Sequence, residues 1–470
     1  MDRETFRKFG YEFVDWVADY FENVDNFPVR SKAVPGEILE RLPLNPPMDG
    51  EPMENIFTDF KEIIMPGITH WQHPGWFAYF PANNSPASVL AELLTAGIGA
   101  QGMIWQTSPA ATELEEVVMN WLRQMLGLPE GMVGVIQDTA STATLCALLT
   151  ARESATGFAA NTEGAKMPLV VYASEEAHSS VDKAVKIAGY GKQSLRSIPT
   201  DDNFAMNPEQ LEAAILRDMD AGLIPACVVA TVGTTSSTAI DSLEQIGRIC
   251  RKHNIWLHVD AAFAGTAAIL EEKRWLIQGA ELIDSFVFNP HKWMLTNFDC
   301  SAYFVKDPGL LVKTFEIHPE YLKTSADSQV KNYRDWGIQL GRRFRALKLW
   351  FVIRSYGVRG IQEMVREHIR LAELFKGWVA ADERFEVLAP VNVSLVCFRL
   401  RGGTADAELE ELNRELLERV NTTGTVYLTH TSLKGRFAIR MMVGQRTTDE
   451  NHVREAWEII REKAGELQQK

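Results

Sequence analysis

The 470-residue chain has few cysteines, and their arrangement excludes a disulfide framework. The five are odd in number, scattered and mostly set in apolar runs: Cys146, Cys227, Cys250, Cys300 and Cys397. Such a set favours a reducing compartment. His70 and His73 are closely spaced, but no third ligand candidate lies near them, so no metal site is expected.

Basic runs and long apolar runs are also missing. The balance of 48 Lys+Arg against 62 Asp+Glu gives a formal charge of −14, which argues against a nucleic-acid partner. Charges begin at Asp2 and no apolar run reaches membrane-spanning length, so neither a signal peptide nor a membrane span is expected. We therefore expect a soluble, cytoplasmic protein.

Strands alternate with helical patterns through the middle of the chain. A helix capped by Ser108 and ended by Gly127 comes first, and Asn207 opens a later one with a capping box. The predicted strands are Val133–Gln137, Leu169–Ala173, Ser194–Ile198, Cys227–Val232, Ile255–Asp260, Ser285–Asn289 and Ala302–Val305. This alternation predicts an α/β fold, with a mostly parallel sheet whose ligands bind at the carboxyl ends of the strands.

Three domains are expected: an N-terminal helical arm (1–85), a large α/β domain (86–360) and a small α+β domain (361–470). The arm begins with a helix over 2–24 whose aromatic stripe requires a cover. That cover is either its own domain or a partner subunit.

Two further segments carry predictions. The polar stretch 323–332 predicts a mobile loop, and 335–357 predicts a helix. The aromatic segment 71–82 lines a pocket or belongs to the core.

No G-x-G-x-x-G follows the first predicted strand, which argues against a nucleotide-dependent oxidoreductase.

Chemically useful side chains follow several strands. Asp138–Thr142 opens a helix, and its free N–H groups and hydroxyls suit a phosphate, although an ordinary helix cap looks the same. His178 either stacks on a flat ring or caps its own helix. Asp260 ends a hydrophobic strand, where a buried aspartate requires a cationic partner such as a protonated ring nitrogen.

Lys292 lies just beyond another strand, in F-N-P-H-K-W-M. Taken alone, it could be an ordinary solvated lysine. Among His291, Trp293 and Met294 it is instead desolvated, which lowers its pKa and makes the amine nucleophilic toward an aldehyde. A phosphate cradle, a ring stacker, a carboxylate and a reactive amine in this order predict a pyridoxal-phosphate site.

The chain resembles the group II pyridoxal-phosphate decarboxylases, most closely the aromatic L-amino-acid decarboxylases. The matching motifs are A-H-S-S-V (177–181), V-A-T-V-G-T-T (229–235), H-V-D-A-A (258–262), N-P-H-K-W-M-L-T-N-F-D-C-S-A (289–302) and G-R-R-F-R-A-L-K-L-W (341–350). The resemblance implies fold type I, an aspartate-aminotransferase-like architecture with a seven-stranded sheet. It also implies an obligate homodimer with shared active sites.

The resemblance also assigns roles by position. Lys292 holds the cofactor aldehyde, Asp260 faces the ring nitrogen and His178 stacks on the ring. Tyr321 matches a loop tyrosine that reaches the neighbouring subunit's site and returns a proton to the product. The other cofactor-binding positions are Ala140, Ser141 and Asn289 at the phosphate, Thr235 and Ala262 at the ring, and His291 beside the lysine. The substrate positions are Trp71, Phe80, Pro81, Ala82, Met103 and Gly341.

Four positions depart from the family pattern. Asp138 replaces a usual glycine, Thr142 a frequent glutamate, and Gln101 and Met103 replace more hydrophobic or aromatic residues of the animal enzymes. In plant relatives a glycine at position 341 accompanies indole substrates and a serine phenolic ones.

The expected reaction is decarboxylation of an aromatic L-amino acid. Tryptophan is favoured, and tyrosine, phenylalanine and dihydroxyphenylalanine remain open. Relatives that make aldehydes lack either the tyrosine or the histidine, so Tyr321 and His178 favour an amine product. The alternatives are an aromatic aldehyde synthase, a non-aromatic amino-acid decarboxylase, an aminotransferase or an inactive binding protein.

Overall fold

A large sheet forms the centre of the molecule. The computed structural model describes residues 1–317, 322, 324, 326–327, 329–402 and 406–468. The strands of the large sheet are β1 (Val133–Gln137), β2 (Leu169–Ser174), β3 (Leu195–Ile198), β4 (Ile224–Thr231), β5 (Trp256–Asp260), β6 (Ser285–Phe288) and β7 (Ser301–Val305). Their order is β1-β7-β6-β5-β4-β2-β3. The predicted seven-stranded sheet is confirmed.

Strand direction places the functional segments on one edge. Only β7 runs against its neighbours, β1 and β6, and the remaining neighbours are parallel. The carboxyl ends of β1, β2, β4, β5 and β6 therefore open on the same side. The strands are apolar runs buried on both faces, as expected of a sheet covered by helices on either side.

Helices surround this sheet and fill both ends of the chain. Their bounds are α1 (Arg3–Asn23), α2 (Glu37–Arg41), α3 (Met53–Asp59), α4 (Pro86–Ile98), α5 (Pro109–Leu126), α6 (Ala140–Thr156), α7 (Ala159–Glu163), α8 (Ser180–Ile187), α9 (Pro208–Asp220), α10 (Leu243–His253), α11 (Pro290–Trp293), α12 (Pro308–Phe315), α13 (Arg345–Ala381), α14 (Asp406–Thr422) and α15 (Glu450–Gln468). Across the described ranges, none of the helices combines the length and the hydropathy needed to cross a membrane.

The caps predicted from sequence hold these helices in place. The side chain of Ser108 accepts the N–H of Ala111, and Gly127 ends α5 in the left-handed conformation at φ 72°. Asn207 accepts the N–H of Gln210 at the start of α9, which is one of the two hydrogen bonds of the predicted capping box.

A second sheet forms the small C-terminal unit. Its strands are β8 (Phe385–Val387), β9 (Leu395–Leu400), β10 (Thr429–Leu433) and β11 (Arg436–Met442), in the order β10-β11-β9-β8. Helix α13 crosses from one core to the other: Leu349 packs in the large core and Phe375 in the small one. The boundary predicted at residue 360 falls inside this helix and stays a prediction.

The aromatic stripe of α1 is covered only in part. Phe13 packs on Phe57 with ring centroids 4.7 Å apart, and Trp16 packs edge-on against Phe60 at 5.1 Å. Phe6 and Tyr11 remain 68% and 60% exposed. The chain's own residues thus cover one side of the stripe and leave the other open.

The helix predicted over 335–357 was wrong over its first ten residues, because α13 begins only at Arg345. Hydrogen bonds to β1 hold the preceding segment in an irregular path. The side chain of Gln137 donates to the carbonyl of Trp336 at 3.0 Å, and Arg342 donates to the carbonyl of Ile136 at 2.7 Å. The loop predicted over 323–332 includes residues 323, 325 and 328, which lie outside the described residues, so its mobility stays a prediction.

A buried ion pair anchors this irregular segment. One Glu115 carboxylate oxygen accepts from Arg342 at 2.7 Å and from the N–H of Ile136 at 2.8 Å. The side chains of Glu115 and Arg342 are only 5% and 8% exposed. Removal of one partner leaves the other as an unpaired buried charge, which is strongly destabilising.

We expect Arg342→Met to lower the free energy of unfolding by about 3–5 kcal/mol, measured by urea unfolding. The double variant Glu115→Gln/Arg342→Met should recover a large part, because no charge is then left unpaired. Lys376→Ala, which breaks an exposed pair with Glu373, is the control and should cost less than about 1 kcal/mol. A loss for Arg342→Met as small as that of the control would contradict the expectation.

Candidate active site

The carboxyl edge of the large sheet gathers most of the residues singled out in the sequence. They follow five strands: Ala140 and Ser141 after β1, His178 after β2, Thr235 after β4, Asp260 and Ala262 at β5, and Asn289, His291 and Lys292 after β6. Since β4, β5 and β6 are neighbours, Asp260 lies between the loops that carry Thr235 and Lys292.

Asp260 is buried at the end of β5, with 5% of the residue exposed. Its Oδ1 accepts the N–H of Ala262 at 3.0 Å. Within the described ranges no cation forms an ion pair with it. A buried carboxylate with so little compensation is costly unless a positive charge neutralises it. The site thus requires a cation that the described protein residues do not supply.

Lys292 lies in the short helix α11, beside the edge of the sheet. Its Nζ is 5.0 Å from the centroid of the Phe80 ring, and it has no hydrogen bond or ion pair with any described residue. Burial lowers the pKa of Lys292, and the charge of Asp260 opposes that shift. The lowered pKa favours the neutral amine, which is the nucleophilic form.

His178 makes one of the two contacts left open by the sequence, a hydrogen bond at the start of its own helix, and its stacking on a ring stays a prediction. Its Nδ1 accepts the N–H of Ser180 at 3.2 Å, which leaves the proton of the neutral ring on Nε2. The residue is exposed in the single chain, yet partial burial of the ring lowers its pKa, against the pull of Asp260. The lowered pKa favours the neutral imidazole, and the exposed residue leaves Nε2 available as a donor.

Unpaired donors lie where the phosphate was predicted. Thr139 caps α6 by accepting the N–H of Thr142, while the N–H groups of Ala140 and Ser141 have no acceptor among the described residues. The Ser301 hydroxyl donates to Oδ1 of Asn289 at 2.6 Å, so the Asn289 amide nitrogen is left as a donor. Free donors and the helix dipole make this corner suitable for an anion.

His291 is fixed beside Lys292. Its Nδ1 accepts the N–H of Cys300 at 2.9 Å, and burial with the neighbouring Lys292 charge lowers its pKa to about 3. The ring is therefore neutral, and Nε2 carries its proton.

A stack of aromatic rings forms the wall behind Lys292. Phe80 stacks on Phe263 at 4.2 Å, and Phe263 stacks on Trp293 at 4.7 Å. Backbone bonds fix the segment that carries Phe80: Phe77 donates to Tyr427 at 3.0 Å and accepts from Met442 at 3.0 Å. The small domain therefore positions part of this wall.

Arg440, on β11, is a site neighbour that the sequence reasoning missed. Its guanidinium lies 5.5 Å from the centroid of the Phe80 ring, the same ring that Lys292 contacts. It donates to the carbonyls of Thr235 at 2.8 Å and Ser236 at 3.2 Å, and to the Thr429 hydroxyl at 3.0 Å. No local sequence pattern distinguishes this arginine from others on the strand.

The remaining substrate positions fall into two groups. Trp71, Pro81 and Ala82 accompany Phe80: Trp71 stacks on Tyr79 at 5.9 Å, and Ala82 accepts from Gln72 at 2.6 Å.

Met103 and Gly341 form the second group: Gly341 lies on the segment anchored by Arg342, and Met103 lies on the loop before α5 that contacts this segment. The carbonyl of Met103 accepts from Arg334 at 2.9 Å, and Gly341 lies against Gln101. No hydrogen bond or ring contact within the described chain joins this group to Lys292. Tyr321 lies outside the described residues.

His70 and His73, the two closely spaced histidines, each form a hydrogen bond with another residue. His70 pairs with the Tyr20 hydroxyl at 2.9 Å, and Nδ1 of His73 accepts the N–H of Gly75 at 2.8 Å. Among the side chains that the structure describes, no group of three or more His, Cys, Asp or Glu is arranged to hold a metal ion.

The donor set fits pyridoxal phosphate. The buried Asp260 carboxylate matches a protonated ring nitrogen, the unpartnered Lys292 amine matches an aldehyde, and the free N–H groups of Ala140 and Ser141 match a phosphate. Among the described residues, none provides a cation for the carboxylate, a partner for the amine or an acceptor for these N–H groups.

Comparisons with known proteins agree with this fit. The model of the pyridoxal-dependent decarboxylase conserved domain matches residues 35–401. Tyrosine decarboxylase 4 of Petroselinum crispum is 45% identical over 99% of this chain and 94% of its own length. Phenylacetaldehyde synthase of Arabidopsis thaliana is also 45% identical, over 99% of this chain and 97% of its own.

A solved structure shows the same architecture. The crystal structure of Oryza sativa TDC with PLP and tryptamine has a TM-score of 0.97, with 39% identity over 99% of both chains. Its fold is the predicted fold type I. On the family match and this site, the chain belongs to the pyridoxal-dependent decarboxylases, with pyridoxal phosphate as its cofactor.

Proposed function

We propose that the enzyme decarboxylates an aromatic L-amino acid to the aromatic amine and carbon dioxide. The observation that carries the proposal is the Lys292 amine, which faces the stacked Phe80 and Phe263 rings while Asp260 lies unpaired nearby. Such rings suit a flat, apolar side chain. The tyrosine decarboxylase relative and the tryptamine-bound structure support the same substrate class.

Each residue of the site has a proposed task. Lys292 holds the cofactor aldehyde, and Ala140, Ser141 and Asn289 hold the phosphate. The Asp260 anion keeps the ring nitrogen protonated, an electrostatic effect that is preorganised because the carboxylate is buried. When bound, pyridoxal phosphate supplies the electron sink for the electrons left as carbon dioxide departs.

The other tasks concern orientation and protons. His178 stacks on the ring, and its capping bond to Ser180 fixes the imidazole plane. Thr235 and Ala262 lie against the ring, and His291 orients Lys292. Tyr321, placed by the family resemblance alone, donates a proton to the product's Cα atom.

An aminotransferase is the less favoured alternative. It requires an arginine that grips the substrate carboxylate, whereas a decarboxylase must release that group. Arg440 is the buried arginine beside Phe80, and each of its three nitrogens already donates to a protein oxygen. It is thus poorly available to a substrate, which favours decarboxylation. An aldehyde synthase and a non-aromatic decarboxylase remain alternatives.

Tryptophan is the proposed preferred substrate. A Cβ atom added at Gly341 would lie 3.4 Å from Nε2 of Gln101, which is the closest contact there. Glycine therefore leaves room that a serine would reduce. The tryptamine in the related structure supports an indole substrate.

We further propose a cytoplasmic homodimer with shared active sites. Apolar side chains remain exposed along α4, including Leu93 and Ile98 at 55% and 64%, and Phe6 is uncovered on α1. Such contiguous apolar faces suit a subunit interface. Met103 and Gly341 then approach the site of the partner. The five free, buried cysteines support a reducing compartment.

The purified enzyme, supplied with tryptophan, tyrosine, phenylalanine and dihydroxyphenylalanine in turn, should release carbon dioxide and amine in equal amounts, fastest with tryptophan. Gly341→Ser should shift the ratio of kcat/KM values toward the phenolic substrates by about tenfold, because one added hydroxymethyl group in a pocket discriminates to that extent. A keto acid without carbon dioxide release would identify an aminotransferase and contradict the proposal.

Tyr321→Phe should suppress amine formation by about 10²-fold or more and divert product toward the aldehyde, because the proton donor to Cα is lost. Liquid chromatography of amine and aldehyde measures the split. Unchanged amine output would assign the proton to another group or to water.

The same variant tests the shared site. Lys292→Ala and Tyr321→Phe subunits, each inactive for amine formation, should recover activity when dissociated and reassociated together, since one site of each mixed dimer then has both residues. Each variant treated alone is the control. A mixture as inactive as the two controls would contradict a shared site.

A further inference from the structure

The start of α6 lacks one half of the usual reciprocal helix cap. The N-cap residue Thr139 accepts the N–H of Thr142 through its hydroxyl at 3.3 Å. In a complete capping box the third helical residue is Glu or Gln, whose side chain accepts the N-cap N–H in return. Here that residue is Thr142, and its hydroxyl instead lies 3.3 Å from the Thr139 hydroxyl.

Asp138 supplies the missing acceptor for the Thr139 N–H, from the residue that precedes the N-cap. Its Oδ1 accepts the N–H of Thr139 at 2.6 Å and lies 3.3 Å from the Thr139 hydroxyl. The carboxylate is thus placed on the strand side of the helix terminus. The N–H groups of Ala140 and Ser141, which follow, stay without acceptors in the described chain.

The second oxygen of this carboxylate connects the helix terminus to the segment before α13. Oδ2 of Asp138 accepts from the Gln339 side chain at 3.1 Å. The Ser301 hydroxyl, which donates to Asn289 at 2.6 Å, lies 3.4 Å from the backbone carbonyl of Asp138. Asp138 therefore contacts the start of α6, strand β7 and the segment before α13.

The charge of Asp138 acts against this arrangement. Partial burial raises its pKa, but hydrogen bonds from Thr142, Thr139 and Gln339 and the charge of Arg345 outweigh burial and lower it. The group is therefore an anion at pH 7, beside a site for another anion. Like charges repel, so the carboxylate is tolerated there only if its hydrogen bonds contribute more than the repulsion removes.

We propose that Asp138 is a positioning residue for the cofactor phosphate: it holds the Thr139 N–H and the first turn of α6 in place of the reciprocal cap that Thr142 does not form. The proposal rests on Ala140 and Ser141 as phosphate-binding positions. It predicts that the effects of substitutions at positions 138 and 142 on cofactor binding depend on each other, since the side chain of a glutamate at 142 would accept the same Thr139 N–H from within the helix.

The test measures the dissociation constant of pyridoxal phosphate, by equilibrium dialysis of the holoenzyme, for the wild type and four variants. Asp138→Ala should weaken binding about fivefold to tenfold, the usual effect of a lost cap. Asp138→Asn should bind at least as tightly as the wild type, because it keeps an acceptor and removes the repulsion. Thr142→Glu alone should weaken binding through its added charge, and Asp138→Ala/Thr142→Glu should recover to within about threefold of the wild type.

Pyridoxal, which lacks the phosphate, is the second probe, and the five proteins should bind it equally. Thermal unfolding of each variant checks that it folds. The proposal is overturned if Asp138→Ala binds pyridoxal phosphate as the wild type does, if neither Asp138→Asn nor the double variant restores binding, or if pyridoxal affinity falls in parallel. Failure of the wild type to decarboxylate aromatic amino acids would instead refute the proposed function and leave these affinities interpretable.

Discussion

The arrangement of this active site depends on one buried anion that no cation neutralises in the described part of the chain. Asp260 ends a strand at the centre of the large sheet, receives one backbone hydrogen bond and forms no ion pair among the described residues. Its burial becomes favourable when a cation neutralises it, and we propose that the protonated ring of pyridoxal phosphate is that cation. In the same proposal, the Lys292 amine, with its lowered pKa, and the free N–H groups at the start of α6 bind the two remaining ends of the cofactor.

Parallel strands make this three-point arrangement possible. The five loops that carry the proposed cofactor-binding residues emerge on one edge because β1, β2, β4, β5 and β6 run in the same direction. The small C-terminal unit completes the wall through the backbone pairing of Phe77, which fixes Phe80 beside Lys292. The proposed cofactor and substrate sides of the site are thus built by separate parts of the fold.

Much of this could be predicted from the sequence because it depends on local pattern. The runs that end at Gln137, Asp260 and Phe288 are mostly apolar, so the ends of these strands and the residues beyond them could be recognised. The segment 335–344 was predicted as helix and is irregular, since long-range bonds from Gln137 and Arg342 override its local preference. Arg440 was missed for the same reason: its place beside Phe80 depends on tertiary packing, which no local pattern encodes.

Borohydride reduction of the purified enzyme, followed by mass spectrometry of its peptides, tests the central claim most directly. Reduction makes the bond between cofactor and protein permanent, so the label reports which amine holds the aldehyde. The account predicts one pyridoxyl phosphate group per chain, on Lys292. A label on a different lysine, or a protein that takes up no label in the presence of added pyridoxal phosphate, would contradict it.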